Sequence, residues 1–136
     1  NENDSVSSAE IETGSSKILG DNDTLSAIVA VLCKANRLVL LTDIDKLYDS
    51  DPKSNPDAKP VDVVHEITDT LRNMAGGSGS SWGTGGMSTK LTAGEIAIEN
   101  GIEMTITSGN RMDCLYDILE GKNVGTKFVP KKEVTA

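Results

Sequence analysis

The sequence predicts an α/β fold. Leu25, Ile28, Val29, Leu32 and Cys33 recur at i, i+3, i+4, i+7 and i+8, the spacing of one helix face. Arg37 then leads at once into Leu38-Val39-Leu40-Leu41, a continuous apolar run of strand length such as a fully covered parallel strand would have. The succession returns further on, where Met87, Leu91, Gly94 and Ile98 mark another helix face and Ile102, Met104 and Ile106 alternate with polar residues.

In chain order, Asn1–Asp4 is a polar cluster suited to a loop. Ser5–Gly20, with Val6, Ile11, Ile18 and Leu19 scattered among Ser, Thr and Gly, reads as a mobile hairpin or lid too polar for a core. Asp21-Asn22-Asp23-Thr24 supplies N-cap chemistry to the first helix, which is expected to run to about Asn36. Thr42 and Asp43 fall where the following strand ends, and open parallel sheets bind ligands outside the carboxyl ends of their strands. Asp43–Asp57 is a long loop; its acids lack the alternating ligands and the glycine of an EF-hand, with Leu47 and Tyr48 in the wrong places. Val61–Val64 reads as a short strand, and Glu66–Met74 as a short helix with Ile67, Leu71 and Met74 on one side. The helix entered near Met87 should close at Asn100 with Gly101 in the C′ position. A strand with one covered face over Ile102–Ile106 ends at Ser108-Gly109-Asn110. Met112–Leu119 is a further helix stopped by Gly121, and Thr126–Val129 a last strand.

Gly76–Lys90, GGSGSSWGTGGMSTK, is the stretch around which a function can be organised. Glycine lets the backbone lie close against a ligand, and the loop ends in Ser88, Thr89 and Lys90 where helical spacing begins and free N–H groups point outward. Together these describe a cradle for an anion, above all nucleotide phosphates. The competing reading is a flexible Gly/Ser linker, against which stand the lysine and two hydroxyls at the helix entry. The spacing fits neither G-x-x-x-x-G-K-[ST] nor G-x-G-x-x-G.

A chain of 136 residues suffices for one modest domain, and the net charge of −8 offers neither nucleic acid nor an anionic membrane a basic surface. Attraction for an anion must then be local. Cys33 and Cys114 have no metal-ligand or redox spacing and are expected to be buried small residues of a reduced, cytoplasmic protein. No apolar run approaches a membrane span, so a soluble intracellular protein is expected. The opening Asn-Glu-Asn-Asp, without an initiator methionine, reads like a domain entered partway. His65, the single histidine, has no nucleophile and orienting acid around it and reads as solvated or capping. Trp82 suits an anchor of the glycine loop or a stacking surface for a base. Asp4, Asp21, Asp23 and Asp43 are each compatible with capping, but all sit at predicted strand ends and helix starts.

Four ordered stretches carry a resemblance: NEND (Asn1–Asp4), GDNDTLSA (Gly20–Ala27), LLTDIDKLYDSDPKSNPDA (Leu40–Ala58) and GTGGMSTK (Gly83–Lys90). Together they resemble the second half of the kinase domain of the amino acid kinase family, in the form its glutamate-phosphorylating members carry. The resemblance covers nearly the whole chain. It implies an αβα sandwich around a mostly parallel sheet, with residues 1–136 forming a partial domain, the nucleotide-binding half with acceptor-site loops, and no second domain. It further implies transfer of the γ-phosphoryl group of ATP, with Mg²⁺, to the side-chain carboxylate of L-glutamate, the first step toward proline, and a homo-oligomer. Residue by residue, Asn1, Asp4 and Asn22 would bind glutamate and Asp23 would organise catalytic lysines. Thr42 and Asp43 would hold the nucleotide. Thr84, Gly85, Gly86, Met87, Ser88, Thr89 and Lys90 would wrap the phosphates, with Lys90 stabilising the transferred group. No protein metal ligand is carried over.

Lys46 stands where the family pattern has glycine, and the segment between NEND and GDND is longer than usual. The family's first half, with a lysine and a serine of its own, has no counterpart here, nor has the carboxy-terminal RNA-modification-type domain of some relatives. Two other readings follow: a kinase for another acceptor of the same family, or a nucleotide-binding fragment without turnover alone.

Overall fold

A computed structural model describes residues 22–50, 55–76, 86–110 and 112–131. Among them a four-stranded sheet has the order β1-β5-β6-β4, formed by β1 (Arg37–Thr42), β4 (Val63–Val64), β5 (Glu103–Ser108) and β6 (Thr126–Phe128). β1 pairs in parallel with β5 from Arg37↔Glu103 to Thr42↔Ser108, β4 in parallel with β6, and only β5 and β6 are antiparallel. A separate ribbon joins β2 (Leu47–Tyr48) to β3 (Pro60–Val61). The helices are α1 (Asn22–Leu32), α2 (Asp69–Gly76), α3 (Gly86–Glu99) and α4 (Cys114–Leu119).

α3 is the centre. Met87, Leu91, Ala93 and Ala97 are all buried, and the helix packs against α1, α2, β5 and β6. Leu40, Met104, Ile106 and Phe128 meet it from the sheet. Gly94 is required for the approach to β6, because a Cβ there would stand 2.8 Å from Phe128 Cδ1. On the opposite face, Arg37 Nε lies 3.2 Å from Glu103 Oε1 and Arg37 Nη1 donates to Ile118 O at 2.8 Å, which fixes α4 on that side. With helices on both faces of a mostly parallel sheet, the predicted αβα sandwich is what the chain forms.

Three helix ends share one device. Gly101 and Gly121 have φ of +72° and +83°, and Ile102 N–H reaches Ala97 O at 2.8 Å as Lys122 N–H reaches Asp117 O at 2.9 Å. These are Schellman closures, as the glycine positions predicted. α1 closes likewise, but on Lys34 (φ 54°), with Ala35 N–H donating to Ala30 O at 2.9 Å. Without a glycine to mark it, the end was expected at Asn36 and falls at Leu32.

Other expectations are corrected. α1 buries Ala27 and Ala30, whereas Val29 and Leu32 of the predicted face are 46% and 75% exposed. The alanines win because they let α1 approach α3 closely, leaving the larger side chains outside that seam. Cys33, expected to be buried, is exposed at the same helix end, while Cys114 is buried. β1 is not fully covered: it ends the sheet order, and Leu41 is exposed. β5 is covered on both faces, with Thr105 and Thr107 as buried as Met104 and Ile106. The Val61–Val64 run divides between β3 and β4, and β2 was read as loop although Leu47 is fully buried and its N–H donates to Thr126 Oγ1 at 2.8 Å. α2 starts at Asp69 rather than Glu66 because Thr68 caps it, its Oγ1 accepting from Leu71 N–H at 3.1 Å. Ile67 is half-buried and Met74 exposed.

Candidate active site

α1 turns into β1 and α3 into β5 through short connections, so each helix runs antiparallel to the strand that follows it. Because β1 and β5 are parallel neighbours, the amino ends of α1 and α3 and the carboxyl ends of both strands gather at one edge of the sheet. That is the edge at which open α/β sheets bind ligands.

The link between the two helix starts is explicit. Lys90 Nζ lies 3.2 Å from Asp23 Oδ2, and Thr89 Oγ1 donates to the same oxygen at 3.2 Å. The Lys90 side chain is 12% exposed and that of Asp23 26%. A lysine just past the first turn of a helix opposes the helix dipole by a few tenths to about 1 kcal/mol, so local helix energetics do not account for it. Asp23 offsets the charge, and the pair stands at the end of α3 whose first N–H groups have no intrahelical acceptors. The arrangement can receive a polyanion. Asp23 stands inside the first turn of α1 rather than at its cap, since the helix begins at Asn22.

The other predicted residues divide. Asn22 is exposed at the start of α1, and with Asp23 it lines a groove of about 600 Å³ that continues past Ser26 and Val29 to Leu41 of β1. Thr42 ends β1, but its hydroxyl is engaged locally, accepting from Ile44 N–H at 3.0 Å; Asp43 beside it is exposed. Gly86 begins α3, Met87 turns its side chain into the core, and Ser88 is exposed, so Met87 can offer a ligand only its backbone. Asn1, Asp4, Asp21, Trp82, Thr84 and Gly85, and the segment Ser5–Gly20, lie outside the described residues. Lys46 pairs with Asp62 at 3.0 Å and has no left-handed φ, so the glycine of the family pattern is not needed there for backbone reasons. His65 is exposed, as expected.

Sequence reasoning missed the Thr89 contact with Asp23. It also missed that Gly109 N–H donates to Thr42 O at 2.8 Å, which places Ser108-Gly109-Asn110 beside Thr42-Asp43. The in-register pairing of β1 and β5 produces the second contact, and no local pattern announces it. A larger concavity of about 780 Å³ lies at the far end of α3, lined by His65, Glu95, Glu99 and Lys131 among others, and holds none of the predicted residues. Size alone would favour it; the convergence of helix starts and strand ends favours the other edge. Among the described residues no group of three His, Cys, Asp or Glu could hold a metal ion, and no helix is long and apolar enough to cross a membrane.

A mostly parallel αβα sandwich with a lysine-bearing helix start at its strand ends defines a class, and the chain belongs to the amino acid kinase family, whose sequence profile matches residues 2–108. The relatives it matches within that family include glutamate 5-kinases. One from Haemophilus influenzae (strain PittEE) is 51% identical over 129 residues, 95% of this chain and 33% of that protein. One from Clostridium perfringens (strain 13 / Type A) is 51% identical over 134 residues, 97% of this chain and 48% of that protein. The chain thus spans a third to a half of the length of these curated relatives. Carbamate kinase from Giardia lamblia bound to AMP-PNP shares the fold, with a TM-score of 0.61 at 23% identity over 82% of this chain and 36% of that one.

Proposed function

We propose that the polypeptide containing this chain transfers the γ-phosphoryl group of ATP to the side-chain carboxylate of L-glutamate, giving glutamyl 5-phosphate and ADP, and that residues 1–136 supply the nucleotide-binding half with acceptor-site loops. The observation that carries the reading is the Asp23–Lys90 pair, which ties the start of α1, in the expected acceptor loop, to the start of α3, in the expected phosphate loop. The identity to glutamate 5-kinases supports glutamate as the acceptor.

In the reaction a carboxylate oxygen of glutamate forms a bond to the γ-phosphorus as the bond from that phosphorus to the β,γ-bridging oxygen breaks, and ADP leaves with the electron pair. No proton has to be removed from an ionised carboxylate. The protein therefore needs positioned charge rather than a general base. Lys90 supplies the ammonium group for the transferred oxygens, and the first N–H groups of α3 hold the neighbouring phosphates. Asp23 holds Lys90 in place, Asn22 faces the acceptor, and Thr42 and Asp43 flank the nucleotide at the end of β1. Asn1, Asp4, Thr84 and Gly85 complete the acceptor and phosphate loops in this reading. Mg²⁺ enters with ATP as part of the substrate, held by phosphate oxygens, and no described cluster is assigned to it. A cytoplasmic homo-oligomer acting in proline biosynthesis completes the proposal.

A coupled ADP-release assay on the full-length polypeptide with glutamate, aspartate and acetylglutamate tests it. Turnover preferring glutamate is expected; preference for aspartate or acetylglutamate would move the acceptor assignment elsewhere in the family. A second reading, a nucleotide-binding fragment without turnover, is favoured by the share of its relatives that the chain spans. It predicts heat on titrating these 136 residues with ATP-Mg²⁺ and no ADP release.

A further inference from the structure

Thr89 and Lys90 are adjacent on α3, and both reach one oxygen, Asp23 Oδ2, 66 and 67 positions earlier in the chain. A threonine in a helix ordinarily bonds a carbonyl one turn back. Thr92 does so, its Oγ1 donating to Ser88 O at 3.0 Å. Thr89 sends a hydrogen bond across to another helix, onto the acceptor that holds the lysine. A carboxylate oxygen has lone pairs for two donors, but the carboxylate as a whole turns readily about its last side-chain bond. A hydroxyl fixed on α3 and bonded to Oδ2 removes that freedom and presents Oδ2 to Lys90.

We infer that Thr89 is a positioning residue, whose hydroxyl sets the Asp23 carboxylate and through it the place of the Lys90 ammonium group, rather than a side-chain ligand of phosphate. The inference rests on the kinase reading and narrows it. A phosphate ligand would act in the bound ground state and in the transition state alike, and its loss would show mainly in KM for ATP. A residue that positions Lys90 acts where charge moves between oxygens, and its loss would show mainly in kcat. Displacements of about 1 Å at a reacting centre are worth up to roughly a hundredfold in rate.

The test uses the full-length polypeptide carrying Thr89→Val, of the same shape without the hydroxyl, and Thr89→Ser, which keeps it. Thr89→Ala serves as a second hydroxyl-free variant should valine disturb folding. Thr89→Val is expected to lower kcat by roughly ten- to a hundredfold with KM for ATP changed by less than about threefold, and Thr89→Ser to restore most of it. In an Asp23→Asn background Thr89→Val should add little, because both act through one contact. An unchanged kcat, a rise confined to KM for ATP, or full additivity with Asp23→Asn would each overturn the inference. Competitive acylation of lysine amines, read by mass spectrometry on the unliganded protein, gives an answer that does not depend on turnover. Lys90 reactivity should change in Thr89→Val and return in Thr89→Ser; equal reactivity in all three proteins overturns the inference. Failure of the wild type to phosphorylate glutamate would defeat the acceptor reading alone and leave that labelling result to judge Thr89.

Discussion

Asp23 and Lys90 lie on different helices, yet Nζ and Oδ2 stand 3.2 Å apart, with the lysine side chain largely withdrawn from solvent at 12% exposure. The pair spans the two motifs that the sequence separates most widely in role, GDND leading into α1 and GMSTK opening α3. A charged pair in such a place does little for stability relative to an apolar substitute, and its worth has to be sought in the charge it holds ready.

Asp23→Asn distinguishes a charge from a shape. In the first turn of α1 Asn gives up only the favourable contact of Asp with the helix dipole, a few tenths to about 1 kcal/mol of stability, so a helix-start role predicts almost no effect on turnover. If the carboxylate holds Lys90, the amide takes away its charge and can present nitrogen to the ammonium group. Turnover of the full-length polypeptide is then expected to fall by roughly a hundredfold or more, with the far-ultraviolet circular dichroism spectrum unchanged. Near-normal turnover would return Asp23 to an ordinary helix-start residue.

The helix–strand alternation was legible because it rests on local periodicity, and two helix ends because a left-handed turn selects glycine, as at Gly101 and Gly121. The third end was misplaced because Lys34 takes that turn without advertising it. The buried face of α1 was misread for a tertiary reason: hydrophobicity ranks Val29 and Leu32 above Ala27 and Ala30, but closeness to α3 selects the alanines. The motifs placed Asp23, Thr42 and Lys90 at strand ends and helix starts. That these ends lie on one side of the fold depends on β1 and β5 being parallel neighbours, a pairing between segments some 66 residues apart that no window of sequence contains.

Gly94 tests the packing that sets the site. A methyl group there meets Phe128 Cδ1 at 2.8 Å and Met104 Cε at 3.1 Å, and Phe128 is fully buried. Helix propensity would favour alanine by about 1 kcal/mol, and overpacking opposes it by about 1–3 kcal/mol. Gly94→Ala should therefore lower the thermal midpoint of the full-length polypeptide. An unchanged or raised midpoint would mean that the α3–β6 contact yields more easily than the geometry indicates.

The β2–β3 ribbon should respond to alkaline pH. Burial first, and then the Asp45 carboxylate beside its hydroxyl, hold the Tyr48 pKa above its ordinary value of 10.0. The native state thus keeps the phenol proton more tightly than the unfolded chain does. That contribution is fully present below pH 10, and is lost as pH rises through the higher native value. Unfolding midpoints measured at about pH 9 and about pH 11 should differ less for Tyr48→Phe than for the wild type. Equal differences in the two proteins would remove Tyr48 as a source of alkaline instability.

Lys90 carries the sharpest consequence. In the bound ground state, nucleotide phosphates would be shared among several amides at the start of α3, so loss of one ammonium group should weaken ATP binding only modestly. In the transition state, negative charge shifts between the transferred group and the departing ADP, and a fixed cation there contributes more than it does to binding. Lys90→Ala in the full-length polypeptide is therefore expected to reduce kcat by roughly a hundredfold or more, with a smaller change in ATP affinity by calorimetry. Lys90→Arg should recover little, because a planar fork replaces a compact ammonium group in a place where the lysine side chain is only 12% exposed and already bonded to Asp23. The opposing view makes Lys90 an ordinary helix residue whose charge is answered by Asp23. On that view Lys90→Ala would relieve the unfavourable dipole contact, leave Asp23 to the Thr89 hydroxyl and solvent, and move stability by about 1 kcal/mol or less with turnover intact. Steady-state kinetics and melting on the same two variants separate the views, and an unimpaired Lys90→Ala enzyme would end the assignment of Thr84–Lys90 as the phosphate-wrapping segment.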